Sequence, residues 1–490
     1  MTSSGFLKGL VCFAVLVCSS TVFGQGQKTE GKKVSGASAN ATAAEDARHD
    51  NSSKEQAQIT DLITSWAPEV RLGVRLFYDN RLSNPGANLA SSCRTCHVPP
   101  EASRGRRNFS DSVPFSVIPS SGKNTTMRNA PSLMDVSLQT SFNADGRFTD
   151  LKDALRAELV SKHLGWEAGQ ELQVKNEVFA LLLNDQGEDL LAEGTYLEQF
   201  QAVKGLDLLE ADADKAFELV VESLIDYLST LTTKNTSAYD AMAFLNRFNE
   251  SLSGPNDTPQ ELSGRVFGRV ANQEGRVLIR FPNIYTEEAY LGYKTFMRVE
   301  PTYNSTVFEE ETNIGNCVAC HVPPKFTDMR FHNTGVVQEE YDSAHGDGAF
   351  GKLSGLAPSA DTGFRIYAGQ PEKMDLGRWN VEPIDNNLAA FKTPMLRNIQ
   401  KTGPYLHNGM YDNLEDVILQ KIRLSELAKA GKLINPDPEY MKMNISEADV
   451  PHLVAFLKTL EEVQGKEFRD YRIENVRIRQ DPKGEQSYEN

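Results

Sequence analysis

Two short stretches carry the side chains best suited to chemistry. They are CRTCH, with Cys93, Cys96 and His97, and CVACH, with Cys317, Cys320 and His321. Two cysteines one helical turn apart can each form a thioether to the same porphyrin, and the histidine that follows then lies under the iron as its proximal ligand. A zinc site needs four ligands, and each stretch offers three on one segment. One zinc shared by both stretches would have to join motifs far apart in the chain. A thioredoxin-like dithiol wants a preceding strand and has no use for the histidine, and neither stretch follows a strand-like run. The two copies predict two covalently bound haem c groups, one per motif.

Cysteine usage points the same way. Lys8 precedes an apolar run over residues 10–17, too short to span a bilayer, and TVFGQ then offers a cut after Gly24. This predicts an export signal over residues 1–24 and a periplasmic protein. The short run argues against an uncleaved anchor, and bulky Val17 argues against a lipid at Cys18. Cleavage removes Cys12 and Cys18 from the six cysteines, and the remaining four all lie in the two motifs. None is left for a disulfide, although export would permit one. The formal net charge of −16 suits no phosphate backbone, so nucleic acid is excluded as a partner, and a basic protein partner fits better. No later stretch is long and apolar enough for a membrane helix.

The motifs need elements to hold them. APEVRLGVRLFYDNRLS places Val70, Leu72, Val74, Leu76 and Phe77 at helical spacing, with an end near Asp79 and Asn80 before the first motif. EEAYLGYKTFM, Glu287–Met297, repeats that arrangement before the second motif, a coarse internal duplication. Residues 168–260 read as helical, with EVFALLLND and KAFELVVESLIDYLSTL as apolar-faced segments. SGPNDTPQEL, residues 253–262, is a turn-rich break with a helix start. DVPHLVAFLKTLEEV predicts a helix from Pro451, with His452 a surface or capping residue. Strand signals are sparse. The expected fold is mainly α, with two tandem cytochrome c-like haem domains over residues 61–258 and 259–470. A flexible leader over residues 25–60 and a charged tail over 471–490 flank them.

Five stretches appear in order over roughly residues 65–465: LGVRLFYDNRLS with SCRTCH, RNAPSL, FNADGRFTDL, GNCVACHVPPKFTDMRFHNTGV, and FKTPMLRNIQKTGPYLHNGMYDNLEDV. Together they resemble the bacterial dihaem cytochrome c peroxidases, which include the MauG-like enzymes. The resemblance implies two all-α haem domains about a shared interface. The N-terminal haem would meet hydrogen peroxide, and the C-terminal haem would supply electrons from a small donor protein, a cytochrome c or a copper protein. It further implies His97 and His321 as proximal ligands. A calcium ion between the haems would be held by Asn129 and by backbone oxygens of Thr402 and Pro404; oxygen ligands suit a hard cation. Arg128 and Arg397 would meet haem propionates or the interdomain face, and a homodimer is compatible with the family.

Three departures from the family pattern stand out. Ala144 occupies the place of a tryptophan that lies between the haems in the family, leaving Phe142, Phe148 or Trp166 as replacements. No histidine lies between residues 98 and 162, so the removable distal histidine is missing. The first iron is then open, as in MauG-like enzymes, or capped by a residue such as Met127. The position of the second haem's axial methionine or tyrosine falls at Lys421, with Met410, Met441 and Met443 as neighbouring alternatives. A neutral amine can bind iron, but a proton competes with the metal.

Peroxide cleavage needs a group that moves a proton from the inner to the outer oxygen. The family's glutamate after DGR falls at or beside His163, whose ordinary pKa is near neutral. A partly exposed helix-end histidine is the plainer reading of that residue. Glu158 and Glu167 are the alternatives, and Asp145 and Arg147 fix the local turn and one propionate. His332 and His407 read as structural, and His345 and His49 carry no assignable chemistry. The expectation is an exported dihaem peroxidase that reduces hydrogen peroxide to water. A variant is a MauG-like oxidase of a partner protein, and the rival from another class is a dihaem electron carrier without a substrate.

Overall fold

The computed structural model describes residues 65–87, 90–97, 128–248, 258–272, 285–300, 313–353 and 375–462. The expected export signal, leader and charged tail, together with Met127 and His49, lie outside them. The helices are α1 (Pro68–Tyr78), α2 (Cys93–Cys96), α3 (Leu151–Leu159), α4 (Glu171–Asn184), α5 (Tyr196–Lys204), α6 (Ala213–Leu228), α7 (Ala238–Leu245), α8 (Pro259–Asn272), α9 (Glu287–Met297), α10 (Val336–His345), α11 (Leu414–Lys429) and α12 (Val450–Lys458). The described strands, β1 (Phe331–His332) and β2 (Phe391–Lys392), pair antiparallel with Phe331 opposite Lys392. The chain is mainly helical, as its periodicity predicts. No helix among the described residues is long and apolar enough to cross a membrane.

Local chemistry sets the helix starts. α1 opens on Pro68, where the missing amide hydrogen would be unpaired in any case. The carboxylate of Asp212 accepts from the Lys215 amide at the head of α6, Thr286 caps α9, and Asn413 caps α11. Thr195 with Glu198 and Ser237 with Asp240 form reciprocal capping boxes on α5 and α7. α9 spans the stretch expected from sequence. α12 begins at Val450, one residue before the expected start, with the proline in its first turn.

Two apolar cores result. One gathers Leu72, Leu76 and Phe77 of α1 with Val174 and Leu182 of α4, Val220 and Leu224 of α6, and Trp166. The other gathers Tyr293 and Phe296 of α9 with Ile418 of α11, Phe456 of α12 and Phe326. Tyr239 and Met242 of α7 already belong to this second core, ahead of the break at residues 253–262. Each core is built on one crossing. A Cβ on Gly73 of α1 would lie 2.1 Å from the Ser223 carbonyl oxygen of α6, and one on Gly292 of α9 would lie 1.9 Å from that of His452 on α12. Both glycines sit in the helix that precedes a CxxCH motif, so the repeat seen in sequence is also a repeat of close helix contact.

Polar groups join the two halves. Arg128 pairs with Asp145 at 2.8 Å and with Asp375 at 2.5 Å. Arg378 donates to the Gly146 carbonyl at 2.7 Å, and the Lys392 amide to that of Ala144 at 2.8 Å. Arg397 holds Asp240 of α7 at 2.5 and 2.8 Å, which ties α7 to the second half. Arg128 thus bridges the two halves, whereas Arg397 binds within the second.

Candidate haem sites

The CVACH segment follows α9 and is a single turn whose backbone turns back so that the His321 amide donates to the Cys317 carbonyl at 2.8 Å. The Nδ1 of His321 lies 2.9 Å from the Phe326 carbonyl oxygen, so Nδ1 carries the hydrogen and Nε2 is free to bind iron. Burial lowers the His321 pKa to about 4, so the ring is neutral, the form a metal requires. Cys317, Cys320 and His321 line a cavity of about 410 Å³ whose walls include Phe296, Leu414, Ile418 and Leu457. That lies within the size range of small-ligand and cofactor pockets. Burial raises the Cys317 and Cys93 thiols to about 12. Such neutral thiols disfavour the thiolate that zinc or disulfide exchange needs, and no disulfide links the motif cysteines. The residues present fit a thioether-bound haem.

Lys421 projects from α11 into the same cavity, its amine 3.3 Å from the Thr334 hydroxyl. Burial lowers its pKa to about 8, which brings the neutral amine within reach of ordinary pH. Of the methionines weighed beside it, Met443 also lines the cavity, while Met441 is 39% exposed. Burial opposes the charge on His332, but Asp437 at 2.6 Å and Asp328 at 2.8 Å raise its pKa to about 12. It is therefore an imidazolium in the wall beside Cys320. His407 stacks on Phe391 with ring centres 3.6 Å apart.

The first motif forms α2, at whose start the Ser92 amide donates to the Thr95 hydroxyl at 3.1 Å. Its Cys93 packs against the first core. Residues 98–127 are not described, so only part of this site is defined. α3 ends in a turn that brings His163 Nδ1 to 2.8 Å from Glu158 Oε1. Both side chains are about half exposed, at 46% and 45%. The negative charge of Glu158 raises the His163 pKa. Desolvation pushes Glu158 up, but the charges of His163 and His97 bring it down to about 2. Glu158 is therefore close enough to His97 and Cys93 for their charges to interact. Arg147 is clamped to Asp145 at 2.6 Å and feels His163 electrostatically. The structure so gathers His163, Glu158 and Arg147 near the first motif, whereas Glu167 points to solvent.

Asn129, Thr402 and Pro404, the residues expected to hold calcium, all line the second motif's cavity. The Asn129 side-chain Nδ2 donates to the Pro404 carbonyl at 2.6 Å, and its main-chain amide donates to the His407 carbonyl at 2.7 Å. The Asn129 amide oxygen is buried without a donor, and Thr402 and Pro404 line the cavity beside it. An orphaned amide oxygen next to main-chain carbonyls fits a hard cation.

Ala144 lines the second motif's cavity, so the substituted tryptophan position faces that site. Phe142 and Phe148 pair across their turn, and Trp166 is buried in the first core. Sequence reasoning passed over Lys392. It lines the cavity, donates to Gln139 at 2.6 Å and to the Ser141 carbonyl at 2.7 Å, and burial lowers its pKa to about 8. Its partners lie some 250 residues away, and no local pattern marks it.

Residues 67–247 match the family model described as di-haem cytochrome c peroxidase. The cytochrome-c peroxidase IdrP2 of Denitromonas iodatirespirans is 26% identical over 400 residues, covering 80% of this chain and 82% of that protein. The methylamine utilization protein MauG of Paracoccus denitrificans (strain Pd 1222) is 26% identical over 423 residues, covering 79% and 87%. A solved MauG-like protein associated with microbial copper homeostasis superposes with a TM-score of 0.48 at 18% identity, covering 81% of this chain and 90% of that one. In the order of its motifs, in the family model matched over residues 67–247 and in relatives that align along most of its length, this chain is similar to the di-haem cytochrome c peroxidases and MauG proteins.

Proposed function

We propose that the chain is an exported, periplasmic dihaem peroxidase that reduces hydrogen peroxide to two waters with two protons and two electrons from a small donor protein. The observation that carries this reading is the hydrogen-bonded His163–Glu158 pair close to the first motif, joined in one molecule to a second motif whose histidine is already oriented for iron. Bound haem would supply an iron at which the O–O bond breaks and a store for electrons. His97 and His321 would each hold an iron through Nε2. His163 takes the proton from the inner peroxide oxygen and returns it to the outer one, which leaves as water. Glu158 accepts the Nδ1 hydrogen, fixing the tautomer that leaves Nε2 to carry the proton, and Arg147 holds the DGR turn through Asp145. Lys421 and His321 would together hold the second haem, whose chemistry there would be electron transfer. Asn129, Thr402 and Pro404 would hold calcium between the halves.

Residues 61–258 and 259–470 would each carry one haem, and the charge of −16 suits a basic donor. The absence of a histidine between residues 98 and 162 favours, as a second reading, a first iron open to oxidise a partner protein in the manner of MauG. Peroxide consumption by the reduced, haem-loaded protein tests the proposal. His163→Ala should slow turnover by about 100-fold or more with haem content unchanged, and unaltered turnover would refute the assignment.

A further inference from the structure

The five residues after the second motif carry contacts that haem binding alone does not require. Phe326, whose carbonyl orients His321, has φ +59°, a left-handed conformation unusual for an aromatic residue. Such a conformation persists where surroundings over-determine it. Its ring is fully buried against Tyr239, Phe296 and Phe456. On one side of it, Arg397 donates to the Pro324 carbonyl at 2.8 Å. On the other, the Lys325 amine crosses to the first half. There it meets the carboxylate of Asp135 at 2.8 Å and the hydroxyl of Thr233 at 2.5 Å. Asp135 is fully buried and also accepts from the Thr233 amide at 3.0 Å and hydroxyl at 2.6 Å. A carboxylate so placed needs a cation nearby, and Lys325 provides it.

We infer that Lys325 is a positioning residue: by pairing with Asp135 it fixes the 322–326 loop against the first half, and through the Phe326 carbonyl it sets the hydrogen bond that tunes His321 as an iron ligand. The inference rests on His321 being that ligand. A firm Nδ1–H···O=C bond raises the basicity of the imidazole and favours ferric iron. Loosening the loop weakens the bond and favours ferrous iron. The tether thus makes the second haem's potential depend on the fit between the halves.

The test is redox titration of the two-haem protein together with electron paramagnetic resonance of its oxidised form, where the second haem is read through its own low-spin signal. Lys325→Met combined with Asp135→Asn removes the tether with no change in local net charge. The ferric–ferrous equilibrium of the second haem should move about tenfold toward ferrous, a rise of about 59 mV for a one-electron couple. The g values of its low-spin signal should shift, the first haem should keep its potential, and Lys325→Arg, which keeps the pair, should keep most of the native potential. Thr233→Val, which removes one acceptor of the same amine, should shift both readouts less and in the same direction. It serves where the double variant does not load haem. An unchanged potential and low-spin signal in these variants would overturn the inference. A second-haem low-spin signal left unaltered by His321→Gly would instead refute the ligand assignment itself.

Discussion

His163 and Glu158 convert a local hydrogen bond into a pH dependence. The Glu158 charge holds the His163 pKa above its ordinary 6.5. In the proposed mechanism, the neutral imidazole is the form that accepts the peroxide proton. The rate of reaction with peroxide should therefore rise with pH through a value above 6.5. Glu158→Gln removes the principal cause of the shift, so the midpoint should fall back toward 6.5, which a pH series of stopped-flow traces would measure. An unmoved midpoint would detach the pair from the reaction. At Lys421 the expected effect is spectroscopic. Lys421→Ala should change the absorption and magnetic spectra of the second haem and leave those of the first, and an unaltered spectrum would point to Met443 instead. Both residues were legible only as positions counted from a motif. His163 gained a partner and Lys421 a cavity from the fold, because Glu158 lies a helical turn away and His321 some hundred residues away.

At the level of elements, the close crossings of α1 with α6 and of α9 with α12 make a direct claim. Gly292→Ala would push a methyl group into the His452 carbonyl, and Gly73→Ala into that of Ser223. Each should cost about 1–3 kcal/mol of stability, as overpacking does, read as a lower denaturant midpoint with an unchanged slope. An unchanged midpoint would mean that the crossings are looser than described. The helices themselves were plain in the sequence. Val70 to Phe77 and the EEAYLGYKTFM stretch carry strong helical periodicity and sit beside proline or threonine starts. Membership of a core was not plain. The apolar face of α7 fixes that Tyr239 is buried, but periodicity cannot say against which core, and it joins the second. The 375–397 segment has no regular period, so its contacts with residues 128–146 had no local signature.

Across the whole molecule, charge holds the halves together. Desolvation would raise the pKa of Asp375, but Arg128 more than offsets it and keeps the carboxyl below its ordinary value. A carboxyl lowered in the folded state stabilises above its unfolded pKa of about 3.9 and loses that contribution as pH falls through the folded value. Arg128→Ala should remove that acid-range dependence and leave Asp375 buried and unpaired, at a cost of about 3–5 kcal/mol. Chemical denaturation across a pH series would detect both effects, and wild-type stability would exclude this pair as a clasp. The motifs announced the haems, and the family resemblance placed Arg128 and Asn129 near the junction. The partner Asp375 had to come from the fold, since 247 residues separate it from Arg128.

The central claim is that two irons sit in unlike surroundings, one open to peroxide and one closed. Low-temperature electron paramagnetic resonance of the oxidised, two-haem protein tests it most directly. The account predicts a high-spin signal from the first haem beside a low-spin signal from the second, with only the high-spin signal altered when peroxide is added. Two low-spin signals, both indifferent to peroxide before and after reduction, would contradict it and leave an electron carrier.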